Sequence, residues 1–296
     1  MMTVPPDLGL DGEPHLMFQP AADLATGRLL GFEALLRWQD GSGGYLAPKV
    51  LVPWAEAHGQ VSKLNDWVLL EACSQATRWP LHLQIAANCS LFQIGRAAAA
   101  LAVARALDSS GLMPDRLTIE ITESTIEDED AIADLKTMAR LGIQLTIDDV
   151  GTDWSVLDSL PRSIVNTIKM DGALIGGLDA SEGSSRTIVE TIISLSRSLS
   201  VCTVAEAVET SEQVAILREL GADVAQGYFF SAPIAADEAC ALATGTSPPS
   251  LGVAALSDDQ SGETTTSEPI SVRKKRSPNS RRGRIWRTGK HGRSRR

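Results

Sequence analysis

The chain has 296 residues, of which 43% are hydrophobic and 22% charged, with a formal net charge of −10. This is the composition of a globular protein with a sizeable core, arranged as one large α/β domain or two small ones. It excludes a membrane-spanning helix, since no run of eighteen apolar residues occurs, and residues 1–13 lack the basic and apolar stretches of a secretory signal.

Residues 1–14 are read as an N-terminal extension. Residues 16–23 and 28–38 then form two apolar, strand-like runs around a Thr26-Gly27 turn. Residues 50–58 and 61–79 read as helices, the second with apolar residues at helical spacing. A regular rhythm follows, with strand-like runs at 81–90, 117–124, 144–150, 167–171, 202–209 and 224–228. Helix-like segments separate them at 91–109, 127–141, 184–199 and 211–220. Strand–helix alternation across residues 15–243 predicts an α/β fold with a parallel sheet closed into a barrel. An open doubly wound sheet is the rival, but no GxGxxG turn follows the first strand.

Residues 244–270, rich in Ser, Thr, Gly, Pro and acids, read as a disordered linker. Residues 271–296 then carry 12 of the 27 Lys and Arg and no acid, which leaves 15 basic against 37 acidic groups before them. An acidic body of net charge −22 thus precedes a basic tail.

Polar residues recur at the ends of the apolar runs: Glu33, Asn88, Glu120, Asp148 with Asp149, and Glu206. Strand side chains alternate, so Glu33, Leu35 and Arg37 share one face. So do Gln84, Ala86 and Asn88, then Thr118, Glu120 and Thr122, then Thr146 and Asp148, then Thr167, Lys169 and Asp171. Any one of these acids taken alone reads as a surface residue at a strand terminus. Matched positions on successive strands instead describe the C-terminal mouth of a barrel. A carboxylate cluster without His or Cys favours Mg²⁺ or Mn²⁺ over Zn²⁺. The adjacent Asp148-Asp149 pair suits two ions, the usual device for hydrolysing a phosphodiester. Lys169 would hold the attacking water or offset phosphate charge; the plainer alternative is a lysine that only neutralises the acids.

In chain order the motifs are Phe18-Gln19-Pro20, Glu33-Ala34-Leu35-Leu36-Arg37-Trp38, Ala87-Asn88-Cys89-Ser90, Ile119-Glu120-Ile121-Thr122-Glu123-Ser124, Ile147-Asp148-Asp149, Ile168-Lys169-Met170-Asp171, Ala205-Glu206-Ala207-Val208-Glu209-Thr210 and Gln226-Gly227-Tyr228. The series resembles the EAL-domain cyclic di-GMP phosphodiesterases across residues 15–240. The resemblance implies a modified TIM (β/α)8 barrel and hydrolysis of cyclic di-GMP to linear pGpG with two Mg²⁺ or Mn²⁺. By it, Glu33, Asn88, Glu120 and Asp148 hold one metal, and Asp148, Asp149 and Glu206 serve the second. Lys169, Glu206 and Glu209 form the catalytic group, while Gln19, Leu35, Arg37 and Gln226 contact the substrate. Glu123 and Asp171 support the loops, and a homodimer is expected. This sequence departs from the family pattern at residues 150–157, where Asp153 replaces a glycine and Trp154 an aromatic Tyr. Ala207 stands for Gly, Gly172 for Arg, and Ala232 for a basic residue.

His15, His58 and His82 share no ligand spacing and read as structural or exposed. Cys89 points away from Asn88's face and suits packing, and Cys73, Cys202 and Cys240 lack CxxC spacing, as reduced thiols of a cytoplasmic protein do. Trp54, Trp67 and Trp79 are expected to cover the barrel end. Ser155 lacks a GxSxG setting. The altered loop leaves open a catalytically weak module that binds cyclic di-GMP or a protein. The tail's basic clusters around Trp286 suit a polyanion, either nucleic acid or an anionic membrane.

Overall fold

The computed structural model describes residues 8–41, 44–46, 48–89, 98–122, 129–150, 164–178 and 184–246. Eight strands close on themselves. β1 (Glu13–Asp23) and β2 (Leu29–Gln39) form a long antiparallel hairpin. Its turn is set by Asp23, whose Oδ1 accepts from the Thr26 N–H (2.7 Å) and hydroxyl (2.8 Å), and by Gly27 at φ +70°. A two-residue strand, β3 (Tyr45–Leu46), adds to the far end of β2.

From β2 onward the ring is parallel: β4 (Gln84–Asn88), β5 (Leu117–Thr122), β6 (Gln144–Val150), β7 (Thr167–Met170), β8 (Cys202–Ala205) and β9 (Val224–Gln226) pair in order. β9 then pairs antiparallel with β1 and closes the barrel. The ring thus differs from an all-parallel (β/α)8 barrel in its reversed first strand, and the closure rules out the open doubly wound sheet.

The α-helices are α1 (Pro48–Ala57), α2 (Val61–Ala76), α3 (Ala98–Ser110), α4 (Glu129–Leu141), α5 (Gly172–Gly176), α6 (Ser184–Leu199), α7 (Ser211–Leu220) and α8 (Ala236–Ala243), and a 3-10 turn at Pro114–Arg116 completes the described elements. Strand alternation feeds the core between ring and helices. In β5, Ile119 and Ile121 face outward and are buried, while Thr118 and Glu120 face the interior. α6 buries Val189, Ile192, Ile193 and Ser196 at helical spacing. α7 is fixed at both ends, by a Thr210–Gln213 capping box and by Gly221 in the left-handed region at φ +80°.

Several boundaries differ from the sequence reading. β1 begins at Glu13, and Leu8 is buried in a small cluster with Trp38 and Leu51, so packing starts ahead of residue 15. The run at 202–209 ends as a strand at Ala205. Trp67 and Trp79 belong to the main core, where Trp79 packs on Phe18 and Phe32, whereas Trp54 stacks on His58 beside the smaller cluster. The three tryptophans therefore do not form one cover. Cys89 is buried in the main core, as its parity required. The linker beyond residue 246, the basic tail, and residues 123–128 and 151–163 lie outside the described residues. Among the described residues no helix is long and apolar enough to cross a membrane.

Candidate active site

Inward side chains converge at the C-terminal ends of the parallel strands, around one lysine. In β7 the neighbours Ile168 and Met170 are fully buried in the outer core, which turns Lys169 into the barrel, where it is 2% exposed. Its ammonium lies 3.2 Å from Glu33 Oε2, 3.0 Å from Glu120 Oε1, 3.4 Å from Asp148 Oδ1 and 2.5 Å from Glu206 Oε1. Those acids come from β2, β5, β6 and the residue after β8, so one cation ties together positions far apart in the chain.

Two amides complete the cluster. Asn88 Nδ2 donates to Glu33 Oε1 (3.0 Å) and Glu120 Oε2 (3.1 Å). Gln226 Nε2 donates to Glu33 Oε2 (2.6 Å) and Glu206 Oε1 (3.1 Å). Gln226, expected as a substrate contact, lines the cleft, and its amide nitrogen is engaged by the acids.

The electrostatics follow from burial against a single positive charge. Burial pushes the Glu33 carboxyl up, but Lys169 and then the Gln226 amide outweigh it and hold the group below the usual carboxylate range. Glu120 goes the other way. Burial raises it, Lys169 only partly offsets this, and Glu33 and Asp148 add repulsion, so it sits well above that range. Glu206 is pushed up to about 7 by burial, against Lys169 and with Asp148 and Glu33. Lys169 stays strongly basic, because the four carboxylates overcome the cost of burying it.

Asp148 and Asp149 illustrate how local backbone builds a site. Simple alternation would send neighbours to opposite faces. Here the β6–β7 register shifts between Ile147 and Val150, and Asp149 adopts φ +59°, a conformation Asp tolerates better than most residues. The Asp149 N–H donates to Asp148 Oδ1 at 3.0 Å. Asp148, Asp149 and Glu206 each offer an oxygen within 4.8 Å of the others. Burial, together with the Asp148 and Asp171 charges, raises the Asp149 carboxyl. Three carboxylate oxygens so grouped are of the kind that a hard divalent cation takes as ligands.

A cleft of about 410 Å³ opens above the acids, with Gln19, Leu35, Glu209 and Tyr228 in its walls. Gln19 sits opposite Glu33 in the hairpin register, and its side chain donates to the Ser231 carbonyl at 3.4 Å. Arg37 lies two residues beyond Leu35 on the same strand face, and its guanidinium donates to the Leu36 carbonyl at 2.8 Å. Asp171 accepts from the Ala173 N–H (2.9 Å) and caps α5. Glu123 and Asp153 lie outside the described residues. The candidate residues read from the sequence omit Ala207, Gly227 and Tyr228, which also line the cleft. A glycine before an aromatic at a strand end was the available signal: Gly227 has φ +152°, and an added Cβ there would run into the Val208 backbone.

The geometry agrees with the comparisons to known proteins. A family model described as the EAL domain matches residues 8–233. The protein named Cyclic di-GMP phosphodiesterase NbdA from Pseudomonas aeruginosa is 36% identical over 230 residues, covering 76% of this chain and 29% of that protein. Like the other first curated relatives, it is much the longer, and the chain spans under a third of its length. Among solved structures, the PaMucR phosphodiesterase in complex with c-di-GMP is 33% identical with a TM-score of 0.70, covering 76% of this chain and 93% of that one. The EAL domain of Mycobacterium smegmatis DcpA is 31% identical with a TM-score of 0.65, over 80% of this chain and all of that one. With the family model spanning most of the sequence, the eight-stranded ring closed as expected and the acids gathered at its rim, this chain belongs to the EAL domain family.

Proposed function

We propose that the protein hydrolyses cyclic di-GMP to linear pGpG, using two Mg²⁺ or Mn²⁺ ions held at the barrel rim. The observation that carries this reading is the charge imbalance around Lys169. Glu33, Glu120, Asp148, Asp149 and Glu206 bring five carboxylates against one ammonium. Fully ionised, these groups sum to −4, which two divalent cations would cancel. The donors are oxygens throughout, as hard cations require. Glu33, Asn88, Glu120 and Asp148 would hold one ion, and Asp148, Asp149 and Glu206 the other. When bound, the ions lower the pKa of water and steady charge on the departing oxygen.

The chain's own groups do the positioning. Lys169, kept protonated by its four carboxylates, has N–H donors to orient water in the cleft. Oxygen from that water joins the phosphorus, the P–O3′ ester bond breaks, and the proton given up by the water ends on O3′. Leu35 and Gln19 form the wall beside the acids. Tyr228, 68% exposed at the lip, offers a ring face on which a guanine can stack, and Arg37 supplies a cation for the phosphates. Names of relatives that include cyclic di-GMP phosphodiesterase support this substrate.

Purified protein with cyclic di-GMP and Mn²⁺ is expected to yield pGpG, and Glu33→Ala or Asn88→Ala to abolish it. Absence of turnover with every divalent metal tried would overturn the reading, and binding without hydrolysis would leave a cyclic di-GMP-binding module. The proposal extends to a homodimer in the cytoplasm. The 12 cations of residues 271–296 support binding of that segment to nucleic acid or an anionic membrane.

A further inference from the structure

The turn after β8 inverts the usual match between residue type and backbone. Ala207 adopts φ +51°, a region strained for any residue with a Cβ and normally given to glycine. Gly172, the first residue of α5, has no positive φ to require a glycine. The two positions face each other. A Cβ added at Gly172 would lie 2.7 Å from the Cβ of Ala207, the one atom within 4 Å among the described residues outside its chain neighbours and its own helix backbone. The space that glycine leaves open at 172 is therefore the seat of the Ala207 methyl.

That seat adjoins the acids. Ala207 lines the cleft between Glu206 and Glu209. On one side the Glu206 N–H donates to the Met170 carbonyl (3.3 Å), next to Lys169. On the other, the Val208 N–H donates to the Gln226 carbonyl (3.1 Å) and the Phe229 N–H to the Val208 carbonyl (2.9 Å). The turn is thus fixed at both flanks, and residue 207 decides how much freedom remains between them.

We infer that Ala207 is a positioning residue for Glu206: its methyl, seated over Gly172, restricts the turn to one conformation and holds the Glu206 carboxylate ready for a divalent cation. The inference rests on the metal-binding reading above. Glycine at 207 would relieve the strain yet admit many more backbone states. Glu206 would then have to be ordered each time a cation binds, at the expense of affinity.

The test combines calorimetric titration of Mn²⁺ with metal-free thermal melting and steady-state kinetics on the full chain. The four proteins are wild type, Ala207→Gly, Gly172→Ala and the double variant. Ala207→Gly is expected to melt at or above the wild-type temperature while its Mn²⁺ affinity falls about 10-fold, as when a residue that orients a ligand is lost. Its kcat should fall, with KM for cyclic di-GMP unchanged. Gly172→Ala should lower the melting temperature in the wild-type background and have no such effect beside Ala207→Gly, where the opposing methyl is gone. Wild-type Mn²⁺ affinity in Ala207→Gly, or the same Gly172→Ala penalty in both backgrounds, overturns the inference. A wild-type chain that takes up no Mn²⁺ overturns the metal reading beneath it, so the two failures are told apart.

Discussion

Replacing Lys169 by methionine keeps an unbranched side chain, one heavy atom shorter, and removes the only cation in contact with four carboxylates among the described residues. Lys169 and Glu120 are 2% and 3% exposed and Glu33 is 6% exposed, so water cannot take over the lost interactions. Removing one partner of a buried charge pair costs about 3–5 kcal/mol. For a domain of this size each kcal/mol shifts melting by about 2–4 °C, giving a fall of about 6–20 °C in metal-free protein. The loss should grow with pH. Glu120 and Glu206 already have folded pKa values above their unfolded ones, so their contribution is full at low pH and lost as pH rises through the folded values. Glu33 is now held low by Lys169, and its contribution is present above the unfolded range and lost on acidification. Without Lys169, burial of Glu33 is opposed mainly by the Gln226 amide, and the carboxyl rises. Metal-free Lys169→Met should therefore lose stability steeply between about pH 5 and about pH 8, where the wild type changes less. Differential scanning calorimetry at both pH values, with and without Mn²⁺, measures this, and Mn²⁺ should recover more of the loss at the higher pH. A melting difference that is absent, or equal at the two pH values, would refute the claim that Lys169 neutralises the cluster.

Two further substitutions separate fold from site. Gly227→Ala forces a Cβ into the Val208 N–H and carbonyl at φ +152°, breaking the pairing of residues 208 and 229. It should cost more than about 1 kcal/mol in a urea melt and reduce turnover together with stability. Arg116 is 5% exposed at the opposite end of the barrel and donates to the carbonyls of Leu83 (2.8 Å) and Ala76 (2.7 Å). Arg116→Met removes the guanidinium donor from the buried Leu83 carbonyl and one of two donors from the Ala76 carbonyl, which keeps the Trp79 N–H (3.2 Å), and should cost about 1–3 kcal/mol, with Mn²⁺ affinity and KM unchanged.

The strand parity was legible where an inward polar residue is flanked by β-branched or aliphatic neighbours. Ile119 and Ile121 around Glu120, and Ile168 and Met170 around Lys169, fix which way the polar side chain turns. The strand over 144–150 appears with the limits expected from its composition. Features set by backbone torsion rather than by pattern were not legible. The run at 202–209 looks continuous in residue type, yet Ala207 at φ +51° ends the strand and sends Glu206 and Glu209 to the same cleft. α5 escaped because five residues are too few to show a helical period. The engagement of Gln226 by Glu33 and Glu206 is a contact between strands far apart in sequence, which no local spacing encodes.

The reversed first strand explains why the run from Glu33 to Arg37 works as a unit. β4 pairs with β2 only over residues 31–34, where Glu33 sits at the level of Ala86 on the ring. β1 pairs with β2 as far as Gln39, well past the rim of the parallel strands. Residues 35–39 thus rise above the mouth as half of a hairpin, and β3 supports them from the other edge through Trp38 and Gln39. The Phe18–Ile234 bridge, with N–H to carbonyl distances of 2.8 and 2.9 Å, ties the segment after β9 to the same wall. Side-chain alternation along that wall then sets Glu33 at the acids and Leu35 in the cleft wall, with Arg37 one step further along the same strand face. An all-parallel ring would need a helical crossover between its first two strands and would end this strand at the rim. The antiparallel start lets one strand carry both an acid of the cluster and the side wall against which a substrate would lie.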